Sequence, residues 1–432
     1  MLDSIIGTLV ILALVFLRMP IAFAMGLVGF VGIWMLSDLR PALSLVGQIT
    51  YSTARSYDFS VLPLFILMGN FVNHAGLSRD LYAASNAFVG HLRGGLAMAT
   101  IFACGGFAAV CGSSLATAAT FSKVAMPSMR RYGYADSLAT GVIAAGGTLG
   151  ILIPPSVVMV IYGFLTEASI GRLFAAGVLP GLVAISFYIF AVQAVIGVRP
   201  KLGPPAERTP WPERWRALSR VWGVIALFVL VMGGIYGGIF TPTEAAGMGA
   251  FGAFLLAVFR GGMRWRQLRD VLADSAMTSA ILFTILIGAL VFANFVNSAG
   301  FPNELIQFVR SLDVPPILVI VAILAIYLIL GCILESISMI LLTVPVFFPL
   351  ILDMGYDLVW FGIVVVCVTE ISFLTPPIGM NVFVLRAMLP DVSTSTIFRG
   401  VTPFFIADIF RLGVLIAFPI ISLYLPRLFY GN

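Results

Sequence analysis

The chain has 432 residues, of which 60% are apolar and only 10% are charged. Soluble domains carry about a quarter charged residues, so this composition excludes a soluble enzyme and indicates a helical protein that crosses a membrane many times. The net charge of +5 comes from basic residues that cluster in short loops. The positive-inside rule predicts this pattern for an inner-membrane protein, and no nucleic-acid partner is needed to explain it.

Apolar segments that can cross or enter a bilayer follow one another along the whole chain. The N-terminus has Asp3 where a secretory signal has basic residues, and it has no small-residue cleavage site. We therefore expect a first membrane segment there instead of a removable signal. The candidate segments are 4–17, 20–36, 59–75, 94–122, 138–163, 172–198, 221–240, 243–259, 276–299, 314–350, 359–388 and 403–425.

Two loops between these segments are strongly basic. RPKLGPPAERTPWPERWRALSR occupies 199–220, and RGGMRWRQLRD occupies 260–270. Because Lys and Arg concentrate in cytoplasmic loops, both loops are predicted to be cytoplasmic. The apolar stretch between them is long enough for two spans, which agrees with both loops lying on one side.

Four motifs occur twice in the same order at nearly one offset, which predicts a duplicated sequence. They are NFVNHAG at 70–76 with NFVNSAG at 294–300 (offset 224), Pro127 and Gly133-Tyr134 with Pro349 and Gly355-Tyr356 (222), Pro154-Pro155 with Pro376-Pro377 (222), and Gly177–Pro180 with Gly400–Pro403 (223). The predicted units are N-terminal scaffold helices at 1–58, a first repeat at 59–198, a cytoplasmic basic linker with two connecting helices at 199–275, and a second repeat at 276–432.

The orientation of the two repeats depends on how segment 94–122 meets the membrane. A single crossing gives parallel repeats, whereas a hairpin that enters and leaves on one side gives inverted repeats. The small polar run Cys111-Gly112-Ser113-Ser114 near its middle suits the tip of a hairpin that is buried in protein. Its counterpart, 314–350, has Glu335-Ser336-Ile337-Ser338 near its middle and is long enough for two short helices. We therefore predict two re-entrant hairpins and inverted repeats.

Segments 138–163 and 359–388 each contain a diproline break, in AAGGTLGILIPPS and in TEISFLTPPIGMN. Proline removes a backbone donor and ends the preceding helix, which frees carbonyl oxygens that can bind Na⁺. The next half-helix begins with its N-terminus exposed, and this end favours a carboxylate. Inverted repeats with such breaks are typical of secondary transporters. The alternative is a pair of proline kinks with a structural role only.

Several polar residues in the apolar segments have both a functional and a structural interpretation. Glu335 either serves an ion site or forms a structural ion pair. Arg386 either meets an anionic substrate or extends to the membrane surface. The repeated Asn pairs of the NFVN motifs suit hydrogen bonds between helices, and Glu244 in FTPTEAAG suits a helix cap.

These motifs together resemble the large membrane subunit of the tripartite ATP-independent periplasmic (TRAP) transporters. The resemblance runs through PLFILMGNFVNHAG, GGFAAVCGSSLATAATFSKVAMPSMRRYGY, GTLGILIPPS, FTPTEAAG, LESISMILLTVPVFFPL, FLTPPIGMNVFV and FRGVTPFFIADIFRL. It implies an all-α, inverted-repeat elevator transporter in a bacterial inner membrane that uses a Na⁺ gradient to import a carboxylate-bearing solute such as a C4-dicarboxylate or sialic acid. The implied partners are a small four-helix membrane subunit, expected to be a separate chain, and a periplasmic substrate-binding protein.

The resemblance also implies site residues, carried over by motif. The Na⁺ ligands would come from the first hairpin tip and break, Ser113, Ser114, Gly146, Thr148 and Gly150, and from the second, Glu335, Ser336, Ser338, Thr369, Thr375 and Gly379. The substrate would lie near Ser113, Pro155, Ser156, Pro377, Asn381 and Arg386. No cofactor other than Na⁺ as coupling ion is expected.

Three other functions are weighed against this one. A stand-alone ion-coupled anion symporter of similar architecture would transport without a binding protein. An intramembrane enzyme needs a catalytic constellation, and the sequence has no acidic metal motif and only two histidines. A purely structural subunit would leave the duplicated breaks unexplained.

Overall fold

The computed structural model describes residues 2–431, and all regular structure in this range is helical. The predicted all-α class is therefore confirmed. The helices are α1 (Leu2–Phe16), α2 (Ile21–Leu36), α3 (Leu39–Arg55), α4 (Val61–His74), α5 (Leu77–Val89), α6 (Gly95–Cys111), α7 (Ser114–Val124), α8 (Met126–Arg131), α9 (Asp136–Leu152), α10 (Val157–Thr166), α11 (Ile170–Val198), α12 (Trp211–Ser219), α13 (Trp222–Phe228), α14 (Gly234–Tyr236), α15 (Pro242–Phe259), α16 (Trp265–Ser298), α17 (Phe301–Ser311), α18 (Pro316–Gly331), α19 (Ser336–Asp353), α20 (Leu358–Ser372), α21 (Met380–Met388), α22 (Thr394–Ala417) and α23 (Ile420–Tyr430).

Within residues 2–431, six helical stretches are long and apolar enough to cross a membrane, or up to eight when two bent pairs are each taken as one span. Asp136–Thr166 is one of the six and includes the first diproline break. Shorter apolar helices, among them α6, α18 and α20, make up most of the remaining apolar chain. These lengths suit half-crossings and broken spans, since a full crossing takes about 20 residues.

The helix ends lie on two faces of the molecule. On the first face, loop 199–206 hydrogen-bonds to the starts of α6 and α9 through Gly203 and Leu202, and Arg130 forms ion pairs with Asp136 and Asp391. We call this the basic face, because it carries both basic loops. On the opposite face, the Tyr162 hydroxyl donates to the Leu358 carbonyl oxygen at 2.7 Å.

These contacts make the two broken helices antiparallel. The pair α9–α10 begins on the basic face and ends at the opposite face, while α20–α21 runs the other way. The hairpin α6–α7 likewise has both ends on the basic face, and α18–α19 has both ends on the opposite face, where Arg310 pairs with Asp353. The arrangement is that of an inverted repeat.

The two halves interlock through their first long helices. Helix α4, the first of the first half, packs against α15, which precedes the second half. Likewise α16, the first helix of the second half, packs against α2, which precedes the first half. Small residues permit the close approach of α2, since a Cβ atom on Gly29 would lie 2.7 Å from the backbone nitrogen of Phe292. The helix cap predicted for Glu244 is confirmed at the start of α15, where Glu244 and Thr241 form a capping box.

The predicted segment 403–425 differs from the structure, which divides it into α22 and α23 at Phe418 and Pro419. Proline has no amide hydrogen and its ring clashes with the preceding turn, so it ends a helix even where the sequence stays apolar. Hydropathy alone therefore predicted one segment where the backbone forms two helices.

Candidate functional site

The tips of the two hairpins line one cavity near the middle of the molecule. The cavity has a volume of about 140 Å³. Its walls come from both tips, from both broken helices, and from α4 and α16 of the other helices. The lining residues are Ile66, Gly112, Ser113, Ser114, Leu115, Ile151, Val157, Val158, Thr278, Leu282, Glu335, Ser336, Ile337 and Phe373.

The first tip turns at Gly112, whose φ of +66° is a left-handed conformation that glycine adopts without strain. A Cβ atom at this position would lie 2.7 Å from the Pro155 carbonyl oxygen, so the turn can pass the first break closely only as glycine. Ser113 then caps α7 by accepting a hydrogen bond from the Ala116 amide. The tip and the break of the first half thus form one packed unit.

The second tip is organised by Glu335, which caps α19. Its carboxylate accepts hydrogen bonds from the Ser336 hydroxyl at 3.2 Å and the Ser338 hydroxyl at 3.4 Å, and a longer one from the Ser338 amide. Among residues 2–431 it has no Lys or Arg within ion-pair distance. A carboxylate that is partly buried without a counter-charge is the kind of group that attracts a cation.

The two diproline breaks interrupt their helices at equivalent places. In the first, the Ser156 hydroxyl donates to the Ile151 carbonyl oxygen at 2.6 Å and accepts from the Met159 amide. In the second, the chain turns at Gly379, with φ of +59°, before α21 begins. Both breaks contain a cis peptide between their two prolines.

Asn381 joins the second break to the first tip. Its side chain is fully buried, and its amide nitrogen donates to the Ser114 hydroxyl at 3.0 Å and to the Ala144 carbonyl oxygen at 2.9 Å. Asn381 and Ser114 come from opposite halves of the chain. This bond therefore ties the two halves together beside the cavity.

The structure brings four of the predicted site residues to the cavity lining and leaves the others outside it. Ser113, Ser114, Glu335 and Ser336 line it. Those outside its lining are Gly146, Thr148, Gly150, Pro155, Ser156, Ser338, Thr369, Thr375, Pro377, Gly379, Asn381 and Arg386.

Three of these outer residues have specific local partners. A Cβ atom on Gly150 would lie 2.6 Å from the Ser113 carbonyl oxygen, so α9 packs tightly on the first tip. The Thr375 hydroxyl donates to the Ile371 carbonyl oxygen one turn earlier. Arg386 donates to the carbonyl oxygens of the loop after α21, at 2.6 Å each, on the basic face.

A fully buried polar network connects α9, α11, α20 and α22, and its pairing was not predicted from the sequence. Arg411 forms ion pairs with Glu370 at 2.6 Å and Asp408 at 3.0 Å, and all three side chains are fully buried. The Tyr188 hydroxyl donates to Asp408 at 2.8 Å and lies 2.9 Å from the Thr148 hydroxyl. The network therefore connects α9 of the first half to α20 of the second.

The internal repeat relates the members of this network to one another. Thr148 and Glu370 are separated by 222 residues, the offset of the two diprolines, and Tyr188 and Arg411 by 223, the offset of the Gly-Val-x-Pro motifs. The hydroxyl pair of the first half thus occupies the place that the ion pair occupies in the second. The offsets, together with two opposite charges three residues apart in the apolar helix α22, are the sequence signals that could have found it.

Comparisons with known proteins agree with this architecture. A sequence model of the family described as "Tripartite ATP-independent periplasmic transporter, DctM component" matches residues 8–421. The chain belongs to this family. It is a multi-pass membrane component of a TRAP transporter, a system whose other components are a small membrane subunit and a periplasmic binding protein.

Two relatives and one solved structure illustrate the range of similarity. The C4-dicarboxylate TRAP transporter large permease protein DctM of Pseudomonas aeruginosa is 38% identical over 87% of this chain and 88% of its own length. The sialic acid TRAP transporter large permease protein SiaM of Vibrio cholerae is 30% identical over 100% of this chain and 99% of its own. The YdaH transporter of Alcanivorax borkumensis has a similar fold, with a TM-score of 0.62 at 14% identity, over 89% of this chain and 90% of that one.

Proposed function

We propose that this chain is the subunit through which a Na⁺-coupled TRAP transporter in a bacterial inner membrane imports an organic acid. The solute is delivered by the periplasmic binding protein. The single observation that carries the proposal is the cavity on which both hairpin tips and both broken helices converge. Secondary transporters bind solute and ion at such breaks.

The helix ends around the cavity support a carboxylate-bearing solute. The N-terminal turns of α7, α10 and α19 supply Ser114, Val157 and Ser336 to the lining. Each helix N-terminus carries a partial positive charge and attracts anions. The relatives named for C4-dicarboxylate and sialic acid both transport carboxylates by name, and they differ in solute, so we propose the class and not the compound.

The charge at the second tip supports coupling to a cation. Glu335 already places one carboxylate at the cavity, and a second carboxylate on the solute would repel it across a short distance. Na⁺ bound by the hydroxyl and carbonyl oxygens of the tips and breaks offsets this repulsion. Na⁺ therefore binds before the solute carboxylate.

The transport step follows from the packing of the two halves. Asn381 and the Arg411 network bond the first hairpin and the two broken helices to one another, and the second hairpin packs against α10 and α20. Helices α4 and α16 instead meet the cavity from the interlocked outer helices. We propose that the bonded body shifts against the outer helices and exposes the cavity to each face in turn.

Uptake into proteoliposomes tests the proposed function. Vesicles contain this chain with its small subunit. Labelled C4-dicarboxylates or sialic acid are added with or without the binding protein, under an inward gradient of Na⁺ or, as control, of K⁺. Uptake that requires both Na⁺ and the binding protein is the expected result. Uptake without the binding protein would instead identify a stand-alone symporter, and uptake driven equally by K⁺ would contradict Na⁺ coupling.

A further inference from the structure

A second cavity opens on the basic face, away from the hairpin tips. It is a groove of about 610 Å³ between α13 with the π-helical turn Val229–Gly233 on one side and α15 on the other. Apart from a polar rim, its lining is apolar. The apolar lining residues are Trp222, Ala226, Leu227, Leu230, Gly252, Leu255, Leu256 and Phe259.

The groove runs from the basic face into the spanning part of both helices. Trp222 begins α13 and Phe259 ends α15, and both lie at the rim, whereas Leu230 and Gly252 lie further along the two helices. Eight residues of helix correspond to about 12 Å. The groove is thus deep enough to accept a large part of a hydrocarbon chain.

Two arginines mark the rim, and within residues 2–431 only Arg260 forms an ion pair, although the charge of Arg220 also acts on Asp80. Arg260 pairs with Asp80 at 2.6 Å and also donates to the Arg220 carbonyl oxygen at 2.7 Å. The Arg220 side chain itself is exposed and makes no ion pair or hydrogen bond within residues 2–431. The backbone of Arg220 is therefore fixed by Arg260, while its guanidinium remains available to an anion.

Tryptophans place this rim at the level of the lipid headgroups. Trp222 at the rim is 58% exposed, and Trp215 and Trp265, on the two basic loops, are 62% and 75% exposed. Indole rings concentrate where a membrane meets water. A cation at this depth faces the phosphates of the bilayer.

We propose that this groove binds an anionic phospholipid, with its phosphate on Arg220 and an acyl chain between α13 and α15. The charge at the rim favours an anionic headgroup over a neutral one, because each basic residue near an anionic membrane surface contributes about 1 kcal/mol, which is about fivefold in affinity. The long apolar floor favours a lipid over free phosphate, which could not use it. The bound lipid would brace α13 against α15 and, through Arg260 and Asp80, would stabilise α5.

Lipid retention measures this binding directly. The intact chain is purified in a neutral detergent, mixed with dioleoylphosphatidylglycerol or dioleoylphosphatidylcholine, and examined by native mass spectrometry and by its thermal midpoint. We expect about fivefold higher retention of phosphatidylglycerol and a thermal midpoint that rises only with that lipid.

Two variants probe the two parts of the site, each with a matched control. Arg220→Gln removes the free charge, and Arg266→Gln removes an equally exposed charge on the same face outside the groove. Ala226→Phe fills the groove from an exposed position, and Ile225→Phe adds similar bulk at the neighbouring exposed position outside the lining. Both groove variants are expected to lose the preference for phosphatidylglycerol, and both controls to keep it.

Each other result overturns the proposal. Loss of the preference in Arg220→Gln but not in Ala226→Phe would mean that anionic lipids bind to surface charge alone. Stabilisation by millimolar inorganic phosphate equal to that by phosphatidylglycerol would mean a free-anion site. In a preparation that also contains the small subunit, its loss from Ala226→Phe, without any lipid preference in the unaltered chain, would mean that the groove is a subunit contact. The thermal midpoint of each variant in phosphatidylcholine shows whether that variant is folded.

Discussion

At the scale of single residues, the fully buried Asn381 holds the two halves of the chain together beside the cavity. It donates hydrogen bonds to Ser114 and to the Ala144 carbonyl oxygen, so that the second break is fixed to the first hairpin tip. Its role is therefore to set the relative position of oxygens that come from opposite halves.

Replacement of this amide tests that role. Asn381→Ala leaves buried groups unsatisfied, at a cost of about 1–3 kcal/mol, and we expect Na⁺-driven uptake to fall by about tenfold or more with near-normal insertion. Asn294→Ala is the matched control, because within residues 2–431 Asn294 donates only to the Leu290 carbonyl oxygen of its own helix. Equal uptake by the two variants would contradict the role of Asn381.

Arg411 is the second residue whose loss should be severe. Its removal leaves Glu370 and Asp408 as two buried carboxylates without a counter-charge, and breaking a buried pair in this way costs about 3–5 kcal/mol. We expect Arg411→Met to lower the thermal midpoint markedly in detergent. Arg399→Met, an exposed change on the same helix, should leave it nearly unchanged, and similar midpoints for both would show that the network stabilises nothing.

At the scale of elements, the sequence predicted the hairpins and breaks because their signals are local. Glycine, serine and proline within apolar segments each change the backbone where they stand, as Gly112 and Pro155 do. The network of Arg411 depends instead on which helices meet, and no local pattern states that Tyr188 contacts Asp408. The amphipathic helices α3, α5 and α17 were not predicted either, because none of them contains a continuous apolar run long enough to span a membrane.

One contact between elements should depend on pH. The hydrogen bond from Arg130 lowers the pKa of Asp391 from its usual value, in the loop after α21 on the basic face. A carboxyl group whose pKa is lower in the folded state stabilises that state above its ordinary pKa and ceases to do so as the pH falls through the lowered value.

The difference in thermal midpoint between the unaltered chain and Asp391→Asn should therefore be largest near neutral pH and shrink below about pH 4. Asp270→Asn, on the same face with only a longer 3.5 Å contact to Arg269, serves as control and should differ little at any pH. A difference in thermal midpoint that grows as the pH falls would contradict this prediction.

At the scale of the whole molecule, the antiparallel course of the broken helices assigns every loop to one of two faces. The predicted topology puts the basic face in the cytoplasm. Lys201 is exposed on that face and Ile239 is 71% exposed on the other. In cells with an opened outer membrane, a membrane-impermeant maleimide should label the Ile239→Cys variant and spare Lys201→Cys until the inner membrane is permeabilised. The opposite labelling would mean that the basic face lies outside the cytoplasm and that the predicted orientation is wrong.

The solute remains the part of the function that this chain specifies least. The cavity lining mixes hydroxyls with apolar side chains such as Ile66, Leu282 and Phe373, and these favour an organic anion without selecting one. Relatives with different named solutes match 87% and 100% of this chain. We therefore propose that the binding protein selects the compound. The motifs and the family resemblance predict only the class of solute.

The exchange of helices between the halves has a consequence for how such a molecule could be divided. Because α2 covers α16 and α15 covers α4, a chain cut within 199–210 yields two pieces that each expose a helix surface which only the other piece can cover. An ancestor of half this length would meet the same requirement by pairing with a copy of itself inserted upside down. Fusion of two such copies would join in one polypeptide two halves of opposite orientation. Before fusion, the same contacts would have formed between separate chains.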